Sequence, residues 1–279
     1  MQRGAAQNDA PMNDDLPLGR RTAQPRHYDP SALRTIERRT ARHEMGIGES
    51  LPFSGEDVWN AYELSWLAPG GLPRIGVLTL HVPAESPRIV ESKSFKLYLG
   101  GFNRTTFESA RAVCALIETD LSRETGSAVR AVIRDAGNGP PFSDFTTFCL
   151  DTLSIPVKCY ERTPDLLTTL GGTGRDAVHT HLFRTVCPVT GQPDWGSVAI
   201  AYDGRLLDRA SVLRYLVSYR ETADFHEVAT ERIFVDLQAA TGAMALTVDA
   251  RFLRRGGIDI NPFRSTSHTE APNIRLPRQ

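Results

Sequence analysis

Apolar and polar positions follow two different periods along this chain, and each period predicts its own kind of element. The stretch "RIGVLTLHV" (residues 74–82) alternates β-branched and apolar residues as a strand does. In "RIVESKSFKLYL" (88–99), Lys93, Phe95 and Leu97 alternate against Ser94, Lys96 and Tyr98, which predicts a second strand. The period then changes. Phe107, Ala110, Cys114, Ile117 and Leu121 fall at helical spacing, with Thr105 or Thr106 placed to cap the helix. "SAVRAVIRD" (127–135) reads as a strand, and 136–180, punctuated by "GNGPP" and "GGTGRD", as irregular.

The second half repeats this order. "GSVAIAYDG" (196–204) is a strand, and "SVLRYLVSYRET" is a helix by periodicity or a bent extended segment. "DFHEVATERIFVDLQAATG" is a helix that Asp224 can cap, with Glu227 at the reciprocal capping position and Gly242 as its stop. "AMALTVDARFLRR" (243–255) is a further strand. Tyr98 and Tyr215, Phe107 and Phe225, and Leu121 and Leu237 stand 117, 118 and 116 residues apart. That shared offset predicts an internal duplication of a unit with a strand pair, a helix and a strand pair. The chain then divides into a polar, flexible arm (1–45) with a short helix near "SALRTIERRTARHE", a first unit (46–135), an irregular linker (136–180) and a second unit (181–279).

Charge narrows the function. With 32 basic and 33 acidic side chains, the chain carries no electrostatic footprint for nucleic acid or a membrane surface. No apolar run is long enough for a signal core or a membrane span, so a cytoplasmic protein is expected. Cys114, Cys149, Cys159 and Cys187 form no Cys-x-x-Cys pair and do not make a disulfide scaffold, which agrees with a reducing compartment.

Several motifs fail their context. "GGTGRD" (171–176) lacks the third glycine and the preceding strand of a dinucleotide fingerprint. "HEVAT" (226–230) has threonine where a zinc protease has its second histidine, so no metal site is expected there. His179 and His181 in "HTHLF" read as surface or interface histidines. Glu227 reads first as a capping residue, although a helix N-terminus also suits a ligand. "ESKSFKLY" (91–98) is either a solvated, lysine-protected edge or a place where Glu91 accepts N–H groups of a heterocycle and Lys93 meets a phosphate. "FLRRGGIDINPFR" (252–264) forms a compact basic loop suited to phosphate contacts. In "TVCPVTGQPDWGS", Cys187 sits in a turn-rich loop, where packing rarely demands a thiol. Taken alone it stays open between an inert small hydrophobe and a nucleophile, with Asp194 able to exchange a proton if the loop folds back.

"ESKSFKLYL", "QPDWGS", "RYLVSYR", "DFHEVATERIFVDL" and "RRGGIDINPFRS", in this order and spacing, resemble the NADPH-dependent 7-cyano-7-deazaguanine reductases in their long, two-module form. The resemblance runs from Leu51 to the C-terminus and is loose over 136–180. It implies an α+β fold of tandem tunnelling-fold (T-fold) modules. Each would be an antiparallel sheet with two helices on one face, the modules assembling into a barrel and the chain into a homodimer. The single-helix reading of each unit then misses a helix, with "SVLRYLVSYR" the candidate in the second half.

The implied reaction reduces a nitrile to a primary amine with two NADPH and no metal, in tRNA queuosine biosynthesis. Cys187 would form a covalent thioimide and Asp194 supply a proton. Val90, Glu91, Ser92, Phe225, His226 and Glu227 would bind the 7-deazapurine, and Ser92, Lys93, Arg255 and Gly256 the NADPH. No direct nucleic-acid or membrane partner is implied. The competing class is a zinc-dependent pterin or purine cyclohydrolase of the same fold, against which the absent second histidine and cysteine pair count.

Overall fold

A computed structural model describes residues 24–279. In chain order its elements are β1 (Thr35–Glu37), α1 (Arg38–Glu44), β2 (Ser54–Leu67), β3 (Pro73–Pro83), β4 (Arg88–Val90), α2 (Ser92–Phe102), α3 (Ala110–Thr125) and β5 (Arg130–Arg134). There follow β6 (Phe148–Cys149), β7 (Thr169–Thr180), β8 (Arg184–Val186), β9 (Pro193–Leu207), α4 (Arg209–Ser218), α5 (His226–Thr241), β10 (Ala245–Phe252) and β11 (Ile258–Ser265). One mixed sheet runs β5-β3-β2-β11-β10-β9-β7-β6, with β8 paired to β9 beside this path. Every pairing is antiparallel except the short β6–β7 pair.

Strand register explains why both helix pairs share a face. Trp59 lies opposite Ile260, Arg264 opposite Val248, and Val248 opposite Ile200, so these side chains point one way. Trp59 and Ile260 pack with Phe95, Tyr98, Ile117 and Leu121 of α2 and α3. Val248 and Ile200 pack with Tyr215, Ile233 and Leu237 of α4 and α5. The opposite face carries Asn60, Thr79, Asp259 and Asn261, which bond to one another and to Asn273 and Gln279 of the C-terminal tail. The fold is α+β, and among the described residues no helix is long and apolar enough to cross a membrane.

Several elements differ from those expected. The strand expected over 88–99 stops at Val90, and Ser92–Phe102 is helical. Both Glu91 carboxylate oxygens accept backbone N–H groups, of Lys93 at 2.8 Å and Ser94 at 2.7 Å. Phe95, Tyr98, Leu99 and Phe102, at the spacing of one helix face, are buried. The next helix begins at Ala110, capped by Ser109 rather than by Thr105 or Thr106. Within the segment expected to be irregular, Thr169–Thr180 is a strand: Gly174 stands opposite Gly204 of β9, while Gly171 and Gly172, at positive φ, fall in a break of register between Thr169 and Thr173.

The arm expected to be flexible over 1–45 is packed into the body from residue 24 onward, while residues 1–23 lie outside the described residues. Arg38 and Arg42 of α1 are buried because each meets a carboxylate: Arg38 pairs with Asp57 at 2.5 Å and Arg42 with Glu231 at 2.8 Å. Arg264 joins both acids at 2.8 Å, completing a buried alternation of charges beneath α5.

Candidate active site

Hairpin geometry brings Cys187 and Asp194 together. In the β8–β9 pairing Thr185 stands opposite Asp194 and Val186 opposite Pro193. The turn closes one step further on, where the Cys187 N–H donates to the Gln192 carbonyl at 2.8 Å and the Gly191 N–H to the Cys187 carbonyl at 3.0 Å. Side chains alternate along a strand, so Cys187, Gln192 and Asp194 share one face of the hairpin. That face is turned inward: Cys187 is 6% and Asp194 4% exposed. The prolines and glycine that exclude a helix here are the residues that make this turn.

Two helix N-termini complete the pocket. Glu91, the N-cap of α2, is 2% exposed. Burial pushes its carboxyl up, against the opposing pull of the Lys93 and Ser94 N–H groups and the Lys93 charge. At α5 the N-cap is Phe225, and no side chain caps this helix. The capping box expected of Asp224 and Glu227 does not form, because Asp224 turns to Arg232 at 3.1 Å. Glu227 faces the pocket instead, 3% exposed. Burial, then the negative charge of Asp57, raises its pKa to about 6, while His226 and Arg38 oppose the rise. His226 stacks on Phe252 with ring centroids 3.8 Å apart, and its Nε2 lies 3.6 Å from Asp194.

The basic loop forms the remaining wall. The Arg255 guanidinium donates to Asp194 and, at 2.7 Å, to Gln192. Gly256 has φ +59°, and a Cβ there would come within 3.0 Å of Lys96 Nζ, so this position holds the loop close to α2. Lys93, Lys96 and Arg255 thus gather positive charge beside the Ser92 end of α2, a donor set that suits the phosphates of a nucleotide.

The cavity measures about 250 Å³. It brings together Cys187, Asp194, Val90, Glu91, Ser92, Lys93, Phe225, His226, Glu227, Arg255 and Gly256, which is every site residue named from the sequence. Sequence reasoning missed Trp59, Ile36, Lys96 and Gln192 in the lining. Helical spacing from Lys93 would have found Lys96, and the hairpin would have found Gln192. Nothing local marks Trp59 or Ile36, which arrive from other strands. His179, read as a surface or interface histidine, is only 4% exposed because the 144–149 segment covers it.

The family model described as "Nitrile reductase, 7-cyano-7-deazaguanine-reductase N-term" matches residues 24–133, and that described as "QueF-like protein" matches residues 193–271. A protein named NADPH-dependent 7-cyano-7-deazaguanine reductase from Burkholderia pseudomallei (strain 1106a) is 47% identical over 268 residues, 94% of this chain and 98% of the relative. One of the same name from Bordetella avium (strain 197N) is 45% identical over 269 residues, 95% and 98% of the two chains. A solved structure of the apo archaeosine synthase QueF-Like aligns at 18% identity and a TM-score of 0.30, covering 35% of this chain and 96% of its own, too slight a likeness to carry an argument.

Proposed function

The chain belongs to the family of NADPH-dependent 7-cyano-7-deazaguanine reductases, and on that premise we propose how its pocket works. The reaction is reduction of the nitrile of 7-cyano-7-deazaguanine to the primary amine of 7-aminomethyl-7-deazaguanine, through a covalent adduct on Cys187, in the supply of queuosine to tRNA. The observation that carries this reading is the hairpin face that holds Cys187 and Asp194 in one cavity with two buried glutamates.

A nitrile carbon is a weak electrophile, and a thiolate is the protein's strongest soft nucleophile. The Cys187 sulfur adds its electron pair to that carbon, one C–N π pair moves to nitrogen, and Asp194 gives nitrogen the proton. The product is a thioimide. NADPH, when bound, supplies the two hydrides that conversion of a nitrile to an amine requires, one from each of two molecules. After the first hydride has added to carbon the S–C bond breaks, Cys187 recovers its electron pair, and the imine left behind takes the second hydride at carbon and a proton from water at nitrogen to give the amine.

Each remaining residue has a task in this scheme. Glu91 and Glu227 accept N–H groups of the guanine-like edge, with Val90 and Ser92 beside them. Phe225 stacks on the ring system and His226 lines the pocket next to Asp194. Ser92, Lys93, Arg255 and Gly256 hold the NADPH. No metal takes part in these steps, and neither nucleic acid nor membrane is a direct partner of this cytoplasmic enzyme. Residues 46–135 make one T-fold module, and 181–279 together with strand β7, which pairs with β9, make the second. The open path of the sheet supports completion of a barrel by a second chain in a homodimer.

Intact-mass measurement after adding 7-cyano-7-deazaguanine without NADPH tests the adduct. A one-to-one adduct is expected in the wild type and in Cys114→Ala, and none in Cys187→Ala. An adduct that survives Cys187→Ala ends the proposal. Asp194→Asn keeps substrate binding but loses about 100-fold or more in turnover, the scale of a positioned proton donor. Near-normal turnover removes Asp194 from that role.

A further inference from the structure

Away from the pocket, three metal-binding side chains converge at the far edge of the sheet. β6 pairs with β7 in a register that sets Cys149 opposite His179. His181 follows two residues after His179, on the same side of the chain. The donor atoms of Cys149, His179 and His181 all lie within 4.8 Å of one another.

Neither imidazole is loose. The Thr147 hydroxyl lies 2.9 Å from His179 Nδ1, and the Ser197 hydroxyl 2.9 Å from His181 Nδ1. Each ring is held through Nδ1, which leaves Nε2 as the donor. Outer groups of this kind fix the tautomer and orientation of metal-bound histidines. Asp144 offers a carboxylate, with Oδ1 3.6 Å from His181 Nε2. Phe145 lies against both rings at centroid distances of 5.5 and 6.4 Å, giving the cluster an apolar wall.

We propose that Cys149, His179 and His181 bind one zinc ion, with Asp144 or a water as the fourth ligand. One thiolate, two imidazoles and an oxygen form a donor set of the soft-to-borderline type that tetrahedral zinc takes. Zinc–nitrogen and zinc–sulfur bonds of about 2.0 and 2.3 Å put neighbouring donors roughly 3.4 to 3.6 Å apart. The side chains therefore close by about an ångström, within reach of small rotamer changes. None of the four residues lines the Cys187 cavity, so the ion is structural. It ties the 144–149 segment to β7 and, through His181 and Ser197, to β9, the strand that carries Asp194. This departs from the expectation of a chain without metal. It also means that stoichiometric zinc in the purified protein does not argue for a zinc-dependent reaction in the pocket.

The test uses the full chain loaded with zinc, freed of excess by a weak chelator and measured for metal content. Cobalt replacement then reads the thiolate-to-metal charge-transfer absorption. The wild type and Cys187→Ala are expected to keep about one equivalent and the absorption band. Cys149→Ala is expected to lose the band and to bind zinc at least about 10-fold more weakly, with its fold checked by circular dichroism in chelator. If Cys149→Ala does not fold, His181→Gln is read by zinc affinity instead, with a loss of at least about 10-fold expected and unchanged affinity overturning the proposal. Less than about a tenth of an equivalent in the loaded wild type, or a band that persists in Cys149→Ala, overturns the proposal.

Discussion

The two halves of the chain share an interior and differ at their helix N-termini. In the first half the buried Tyr98 of α2 donates to Asp120 of α3 at 2.8 Å. In the second, Tyr215 of α4 donates to Asp236 of α5 at 2.5 Å. The same bond between the same two helices supports the duplication that the sequence offset predicted. The caps diverge. Glu91 and Asp208, also 117 residues apart, both cap the first helix of their pair. Glu91 is buried in the cavity, whereas the Asp208 side chain is 38% exposed and lies 3.9 Å from Arg214. Conversely, α3 is capped by its own Ser109, while α5 opens on Phe225 with no side-chain cap. One N-terminus from each half builds the pocket, and its counterpart in the other half serves only its own helix.

Exchanging the charge at the paired caps is the largest test of that division. Glu91→Gln is expected to lower kcat/KM by about 10- to 100-fold, the range of a charge-assisted hydrogen bond to ligand. Asp208→Asn should leave kcat/KM within about twofold, since an amide still caps. Equal losses in steady-state assays of the two variants would collapse the distinction.

Glu227 sharpens the comparison through pH. A pKa of about 6, above the ordinary 4.5, means that the folded protein holds this proton more tightly than the unfolded chain does. Its unfavourable effect on stability therefore builds as pH rises from about 4.5 to about 6 and persists above that. Ligand binding runs the other way, because only the carboxylate accepts N–H groups at both oxygens. Substrate affinity is expected to fall roughly 10-fold for each pH unit below about 6. Glu227→Gln should bind more weakly at pH 7 and lose that slope. Asp224, also raised to about 6 by burial, contributes its own stability change, so the difference between wild type and variant is the quantity to measure. A slope unchanged in Glu227→Gln would exclude it from binding.

How much of this was legible in the sequence depended on whether a signal was local. The hairpin face was legible, because Pro188, Gly191 and Pro193 exclude a helix and leave Cys187 and Asp194 to a turn. Helix α2 was misread because Lys93, Phe95 and Leu97 against Ser94, Lys96 and Tyr98 can be written as two alternating faces, although Phe95, Tyr98, Leu99 and Phe102 carry the helical period in the same residues. Glu227 looked like a cap because three-residue spacing from an aspartate is what a capping box shows. Only the tertiary partner Arg232 draws Asp224 away. Arg38 and Arg42 looked like a solvated arm, since their partners Asp57 and Glu231 lie elsewhere in the chain. The Cys149–His179 pairing was hidden for the same reason, in a segment too rich in glycine to read as a strand.

The smallest expected effects lie in the shared interior, where the two halves should behave almost alike. Tyr98→Phe removes one bond to Asp120, which keeps the Tyr28 hydroxyl at 2.6 Å. Tyr215→Phe removes two, to Asp236 and to the Tyr219 hydroxyl at 2.9 Å, while Asp236 keeps Arg162. Both carboxylates thus retain a partner, so neither variant leaves a buried charge stranded. The expected cost is about 1 kcal/mol for Tyr98→Phe and about 2 kcal/mol for Tyr215→Phe, read from chemical denaturation midpoints with turnover unchanged. A larger cost at Tyr98 would show that the first-half bond depends on the Tyr28 contact as well. The arm would then belong to the same cooperative unit as the helix pair it covers.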